Sequence, residues 1–404
     1  MFAPQTAYTQ FFAFDNSFDG FEDSTMACTD YIDVSDNGER TPIAATLSTP
    51  PDSVLSMQFD DASEGAPESV SSRTSWDTLD HASDDENEMP ESVDHKLSAH
   101  WEERNEKIIK DPYQYVASMP GKEIRRQLMK AFNHWFQVDE YSSDIIAETV
   151  TMMHNASLLI DDIQDNTKLR RGLPCAHEVY GIAQTINSAN YVYFEAQQKL
   201  LNLPNWPEAM KIFNEEMINL HRGQGMELYW RDTVQPPSEA DYLQMISNKT
   251  GGLFRLILRL LQSMSPINLE VSKLVDVIGL IFQILDDLKN VCDEKMAAQK
   301  GFFDDLTEGK FSYPIAHTVW SDSPEKDHVL DLLKLRSEDT AIKNDAAMSL
   351  ERAGSLAHTR RVLETLNKRA RILMDQVAAP NPLLEGLLDK LVDGLNGCGG
   401  PVQM

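Results

Sequence analysis

Ala156-Ser157-Leu158-Leu159-Ile160-Asp161-Asp162-Ile163-Gln164-Asp165 is an apolar run that ends abruptly in acid. Upstream of it, Ile145, Ile146, Val150 and Met153 recur at helical spacing, which predicts a helix through Ile145–Ile160 and into Asp161. On that helix Asp161 and Asp165 share one face about one turn apart, while Asp162 points roughly 100° away. Two carboxylates so placed repel each other unless a cation lies between them. Oxygen ligands from one or two carboxylates, completed by phosphate and water, are what Mg²⁺ prefers. Alone, the run fits a solvated acidic helix face as well as a metal site.

The design recurs further along. Phe282-Gln283-Ile284-Leu285-Asp286-Asp287-Leu288-Lys289-Asn290 is again an apolar helix that ends in an Asp pair, with an oxygen-bearing side chain four residues on. Two such helices face to face would cage Mg²⁺ ions and a diphosphate. Basic residues stand where a diphosphate would need them: Arg170 and Arg171 after Asp165, Lys122 and Arg125 after Pro120-Gly121, Lys249 beside Thr250, and Lys300 and Lys310 around Phe302–Leu306. Arginine suits planar, bidentate phosphate contacts, and lysine acts as a point charge. Each of these bases taken singly also reads as an ordinary solvated charge.

Between the motifs the texture is helical, with short turns such as Met119-Pro120-Gly121 and Arg171-Gly172-Leu173-Pro174, which predicts one all-α domain over residues 97–404. Residues 1–96 differ. Positions 1–95 hold 21 acidic and 2 basic residues, a net of −19, which leaves only −9 of the total −28 on the rest. A segment so charged and apolar-poor is expected to be a disordered acidic tail. The mildly acidic remainder gives no basic face for nucleic acid. Cys28, Cys175, Cys292 and Cys398 show no CxxC spacing, so neither a zinc site nor a disulfide framework is expected, and a reducing, cytoplasmic setting is. No apolar run is long enough for a transmembrane helix, so no stable membrane insertion is expected.

The motifs resemble those of trans-prenyl diphosphate synthases, specifically the eukaryotic, fungal-type geranylgeranyl group. The strings that carry the resemblance are Pro120-Gly121-Lys122 with Arg125, His154 through Asp165, Leu169-Arg170-Arg171-Gly172, Ile186 through Tyr191, Gly223-Gln224-Gly225, Asn248 through Phe254, Phe282 through Asn290, and Asp305 through Lys310. The resemblance implies an isoprenoid synthase-type helical bundle with a central cavity, three Mg²⁺ ions and a homodimer or larger homo-oligomer. It implies metal contacts from Asp161, Asp162, Asp165, Asp286 and Asp287. Catalytic duty falls to Asp161, Asp165, Lys249, Gln224 and Asp286. The allylic diphosphate would be held by Arg170, Lys249, Thr250, Gln283, Asn290, Lys300 and Lys310, and isopentenyl diphosphate by Lys122, Arg125, His154 and Arg171. Two positions depart from the usual pattern: Asn290 stands for Asp, and Glu227 for Asp.

The growing chain should run along the helix upstream of Asp161. Ala156 and Ser157 are small where farnesyl-forming relatives tend to carry aromatics, which argues for a twenty-carbon product. Tyr193, Phe194 and His221 are the candidates for the cavity floor, with ordinary core aromatics as the competing reading. Farnesyl and C25 synthases remain alternatives, as does a non-catalytic partner subunit. A class I cyclase would need a second motif, for which Asn344-Asp345 with Ser349 is a poor candidate.

Overall fold

The computed structural model describes residues 103–119, 121, 124–293, 296–297, 301–396 and 398. The expected acidic tail at 1–96, Lys122 and Lys300 lie outside the described residues. The described chain is helical almost throughout. In order run α1 (Glu103–Ala117), α2 (Ile124–Phe136), α3 (Glu140–Gln164), a two-stranded hairpin of β1 (Leu169–Arg170) and β2 (Leu173–Pro174), α4 (Ala176–Tyr180), α5 (Ile182–Lys199) and α6 (Trp206–Thr233). Then follow α7 (Glu239–Met264), α8 (Ser272–Cys292), α9 (Asp304–Glu308), α10 (Tyr313–Trp320), α11 (Lys326–Leu335), α12 (Thr340–Arg352), α13 (Ser355–Asp375) and α14 (Pro382–Asn396). None of these helices is long and apolar enough to cross a membrane.

The predicted helix through Ile160 is α3, and it starts earlier than its apolar pattern. Asp139 caps it by accepting the Ser142 backbone N–H at 3.0 Å. Its buried stripe of Ile146, Met153, Ala156 and Leu159 turns into the core. At the centre stands α7, capped by Ser238 and packed on α2, α3, α6 and α8. Hence the two acid-bearing helices, α3 and α8, flank the helix that carries Lys249 and Thr250.

Two glycine contacts let these helices approach. A Cβ at Gly223 of α6 would lie 2.4 Å from the Lys249 backbone nitrogen of α7. One at Gly279 of α8 would lie 3.2 Å from the Gly251 Cα of α7. Both are backbone-on-backbone approaches that a larger residue obstructs.

The cysteine expectation needs correction. Cys292, at the end of α8, and Cys398 form a disulfide with Cα atoms 5.2 Å apart, across 106 residues of sequence. The expectation failed because it looked for closely spaced cysteines, whereas this pair is brought together only when α14 packs against α8. Cys175 is free and buried.

Candidate active site

Asp162 anchors the first motif to the fold. It is buried, and both its oxygens accept from Arg170 Nε, at 2.7 and 2.8 Å. Arg170 Nη2 bonds the same carboxylate. Arg170 is aimed there by the β1–β2 hairpin, whose two loop residues, Arg171 and Gly172, take φ of 55° and 80°. Positive φ at both positions is the type I′ turn, for which glycine at the second position is well suited. Asp162 was expected at the metal, but its carboxylate is committed to Arg170. That pair carries the charge neutralisation that burial demands.

Asp161 keeps part of its surface open. Its Oδ1 lies 3.4 Å from Gln224 Nε2 and 3.5 Å from Lys249 Nζ, and its Oδ2 lies 3.7 Å from Arg170 Nη2. Asp165 ends α3, where its backbone N–H donates to the Asp161 carbonyl. Its side chain is buried between Arg231 Nη1, at 3.0 Å, and Lys310. Burial pushes the Asp165 carboxyl up despite Lys310, and the charges of Asp161 and Glu308 add to the rise. Such crowding of acid is what a bound cation would relieve.

The second motif divides labour in the same way. Asp287 is buried and accepts from the Tyr242 hydroxyl, from Gln283 Nε2 at 2.8 Å and from the Tyr313 backbone N–H at 2.7 Å. Burial raises its pKa against those three bonds. It therefore locks α7, α8 and α10 together and is not set out toward a metal. Asp286, its neighbour, is half-buried and makes no hydrogen bond or ion pair among the described residues. Asn290 was expected on the diphosphate. Its Oδ1 accepts the Asp305 backbone N–H at 3.1 Å, so it holds the start of α9 in place. Gln283 takes the Thr250 hydroxyl on its Oε1.

Lys249 sits between the motifs, bonded to Glu227 and near Asp161. Burial alone would lower its pKa, but Glu227 and Asp161 hold it above the ordinary lysine value. Lys310 is likewise held well above it by Asp165 and Glu308. A second cationic group stands on α2 and α3. Arg125 Nη1 lies 3.1 Å from His154 Nε2, with its guanidinium over the rings of Phe254 and Phe282 at 5.8 and 5.7 Å. Burial pulls Arg125 down to about 10, Asp286 opposing. Burial, then Arg125, Arg170 and Arg171, keeps His154 neutral, well below the usual histidine range. Its Nε2 is thus the acceptor. Arg171 Nη1 donates to the Met119 carbonyl at 2.7 Å.

Ser157, Asp161, Gln224, Lys249, Gln283 and Asp286 lie on central helices yet stay half-exposed. These side chains of α3, α6, α7 and α8 therefore keep access to solvent. No three His, Cys, Asp or Glu side chains converge tightly enough to hold a metal unaided, among the described residues. That suits Mg²⁺, which is commonly held by one or two carboxylates plus substrate phosphates. The competing cyclase motif fails structurally: Asp345 pairs at the surface with His328 at 2.8 Å, and Ser349 accepts from Arg352.

The polyprenyl synthetase family model matches residues 106–350. The chain belongs to that family. A geranylgeranyl pyrophosphate synthase of Emericella nidulans is 60% identical over 309 residues, which cover 76% of this chain and 78% of that protein. Geranylgeranyl pyrophosphate synthase 1 of Zymoseptoria tritici is 50% identical over 291 residues, covering 70% and 84%. An Aspergillus fumigatus geranylgeranyl pyrophosphate synthase is 51% identical over 289 residues, covering 71% and 80%.

In this polyprenyl synthetase the small pair lies on α3 before Asp161. Ala156 is fully buried, and Ser157 is half-buried with its hydroxyl on the His154 carbonyl at 2.7 Å. The floor candidates split. Tyr193 and His221 meet edge-on, ring centroids 6.3 Å apart. Phe194 is 71% exposed among the described residues. Several site residues escaped the sequence reading: Arg231 and Glu308 around Asp165, and Tyr242 and Tyr313 around Asp287. Arg231 could have been found, because Gln224, Glu227 and Arg231 fall on one face of α6 at i, i+3 and i+7. The others come from elements remote in sequence and carry no local signal.

Proposed function

We propose that this chain condenses isopentenyl diphosphate head to tail with dimethylallyl, geranyl and farnesyl diphosphates to make geranylgeranyl diphosphate. The observation that carries the reading is the placement of Asp161 and Asp165 on one side of Lys249 and Asp286 on the other, with the Arg125–His154 pair beside them. The relatives' names point the same way.

Polyprenyl synthetases generally depend on Mg²⁺. Asp161, Asp165 and Asp286 would hold the ions, three in number. When bound, Mg²⁺ supplies charge neutralisation for the leaving diphosphate. The chain's own residues do the rest. Lys249 and Lys310 now pair with Glu227, Asp165 and Glu308, so they are already oriented, and they would exchange those partners for oxygens of the allylic diphosphate. Arg170, Thr250, Gln283 and Lys300 complete that subsite. Lys122, Arg125, His154 and Arg171 would bind isopentenyl diphosphate, with neutral His154 keeping an Arg125 N–H fixed in direction. Held this way, the double bond of isopentenyl diphosphate lies against the allylic carbon as its C–O bond breaks. Phe254 and Phe282 back the Arg125 guanidinium with apolar rings. The proton then lost passes to the departed diphosphate, which the lysines retain.

The test is product analysis. Purified protein with labelled isopentenyl diphosphate, Mg²⁺ and each allylic primer should give chiefly a twenty-carbon diphosphate, and Asp161→Ala should give none. A predominantly C15 or C25 product overturns the chain-length reading, and undiminished activity in Asp161→Ala overturns the site.

A further inference from the structure

Asp165 is gripped from two directions. Arg231 Nη1 donates to its Oδ1 at 3.0 Å and also to the Gln164 carbonyl at 2.9 Å. Lys310 Nζ takes the other oxygen, Oδ2. The two cations come from separate places: Arg231 from the last turn of α6, and Lys310 from the turn after α9. Each oxygen of one buried carboxylate is therefore placed by a different element. The carboxylate is held as precisely as those two elements are held to each other.

Arg336 joins them. It follows α11 with a φ of 46°, and its backbone N–H donates to the Leu333 carbonyl at 3.3 Å. On the α6 side, Arg336 Nη2 donates to the Arg231 carbonyl at 2.9 Å and to Asp232 Oδ1 at 3.3 Å. Asp232 in turn accepts from one edge of the Arg231 guanidinium, Nε at 2.9 Å and Nη2 at 3.4 Å. The guanidinium is a rigid planar fork, so holding that edge fixes the direction of Nη1 toward Asp165. On the α9 side, the Arg336 side chain lies on Gly309, where an added Cβ would stand 2.7 Å from Arg336 Nε. Gly309, with a φ of 79°, is the residue before Lys310. Thr307 Oγ1 donates to the Ser337 carbonyl at 3.2 Å, which ties the same turn to the residue after Arg336. The contacts close a ring: Asp165, Lys310, Gly309, Arg336, Asp232, Arg231 and back to Asp165.

We propose that Arg336 is a positioning residue for the allylic diphosphate: it brackets the Lys310 turn against the end of α6, so that Arg231 and Lys310 keep their grip on opposite oxygens of Asp165 and Lys310 is set in place to receive the diphosphate. This rests on the proposed prenyl condensation, in which Lys310 exchanges Asp165 for a diphosphate oxygen while Arg231, fixed by Asp232, stays. Arg336 touches no substrate; it acts through Arg231 and Lys310. Fold stability does not account for the bracket. The Arg336 side chain is 41% exposed and that of Asp232 56%, and ion pairs so exposed contribute little to folding. A displacement of about 1 Å at a positioned group costs on the order of 100-fold in rate. The bracket therefore matters far more to the placement of Lys310 than to the stability of the chain.

Two variants cut the ring at neighbouring points. Arg336→Asn removes the guanidinium and keeps a residue that tolerates a positive φ. Asp232→Asn keeps the shape and removes the charge, and it serves alone should Arg336→Asn fail to fold. Full-length protein is assayed with farnesyl and isopentenyl diphosphates, each varied in turn. Binding of inorganic diphosphate with Mg²⁺ is measured by calorimetry, with no turnover. Each variant should raise KM for farnesyl diphosphate by about 10-fold or more and leave KM for isopentenyl diphosphate within about 2-fold. Each should weaken inorganic diphosphate by a similar factor, at a Tm within about 2 °C of wild type. The double variant should be no worse than the poorer single one, because both cut the same ring. Unchanged KM and diphosphate affinity, equal losses for both substrates, or losses that add in the double variant overturn the proposal. So does a loss that follows a lowered Tm, since a purely structural role would produce it. If wild type makes no prenyl product, the proposed function falls, and diphosphate binding by the variants alone decides whether the bracket sets Lys310.

Discussion

Gly223→Ala probes whether the α6–α7 crossing sets the geometry of the site. The added Cβ would stand 2.4 Å from Lys249 N, 2.9 Å from Lys249 Cα and 2.8 Å from the Met245 carbonyl oxygen. All three are backbone atoms, so no side-chain rotation can relieve the clash. Ordinary contact begins at 3.4 Å, so the helices must part locally by about 1 Å. Gln224 is the next residue on α6, and its 3.4 Å approach to Asp161 and 2.8 Å bond to Gln164, both on α3, would shift with α6. Glu227, one turn on, would draw away from Lys249. Overpacking of this kind costs about 1–3 kcal/mol, which lowers Tm by roughly 2–5 °C in a chain of this size. Misplacing catalytic groups by about 1 Å costs on the order of 100-fold in kcat/KM. Thermal melts and steady-state kinetics with farnesyl and isopentenyl diphosphates measure both. Gly386→Ala is the control, since nothing lies within 4 Å of its added Cβ. On helix propensity that variant should gain up to ~1 kcal/mol. A Gly223→Ala enzyme with wild-type Tm and wild-type kcat/KM would refute the reasoning.

Asp162→Ala should leave Arg170 buried without its partner and cost about 3–5 kcal/mol, read as a fall in the urea midpoint; a midpoint near wild type would mean that the pair does not hold the hairpin. Acid should weaken the α10–α13 contact, where His317 and His358 stack 3.9 Å apart and His317 Nδ1 lies 2.8 Å from Ser355 Oγ. Burial, then His358 and Arg361, lowers His317 to about 4. The unfolded chain, with an ordinary histidine pKa of about 6.5, binds the extra proton between those values. Stability from this group is therefore full above about pH 6.5 and is lost as pH falls toward 4. His317→Gln should show a shallower drop in Tm between pH 7 and pH 5, and an unchanged drop would exclude it as the cause. Finally, under oxidising conditions Cys398→Ser should lose up to about 4–5 kcal/mol, because the closed loop spans 106 residues; equal melting of wild type and variant without reductant would show that the bond contributes nothing.

The helices and the acid pairs at their ends were legible because both are local. An apolar stripe at 3.6-residue spacing is written in consecutive residues, and so is an Asp pair at its end. What could not be read is whatever depends on which elements pack together. Cys292 finds Cys398 only through the packing of α14 on α8. Asp165 is crowded by Glu308 and clamped by Arg231 and Lys310, contributed by α6 and by the segment at α9. The 71% exposure of Phe194 was hidden for a further reason. Helical spacing separates an apolar face from a polar one, but it does not say whether the apolar face meets the core of its own chain.

The two Asp pairs show what the motif is built to do. In each, one carboxylate is spent inside the protein: Asp162 on Arg170, and Asp287 on Tyr242, Gln283 and the Tyr313 backbone. The residue before it, Asp161 or Asp286, keeps solvent access. Adjacent helical positions differ by about 100°, so fixing the second carboxylate on the helix flank leaves the first facing solvent and limits its rotation. Fixing matters because a flexible acid would lose conformational entropy whenever it took up a cation. A pair of adjacent acids is therefore more than a denser negative charge. On the proposed function it is one ligand and the fastening that orients it, and the fastening is the half that ties the pair to α7, α8, α10 and the hairpin.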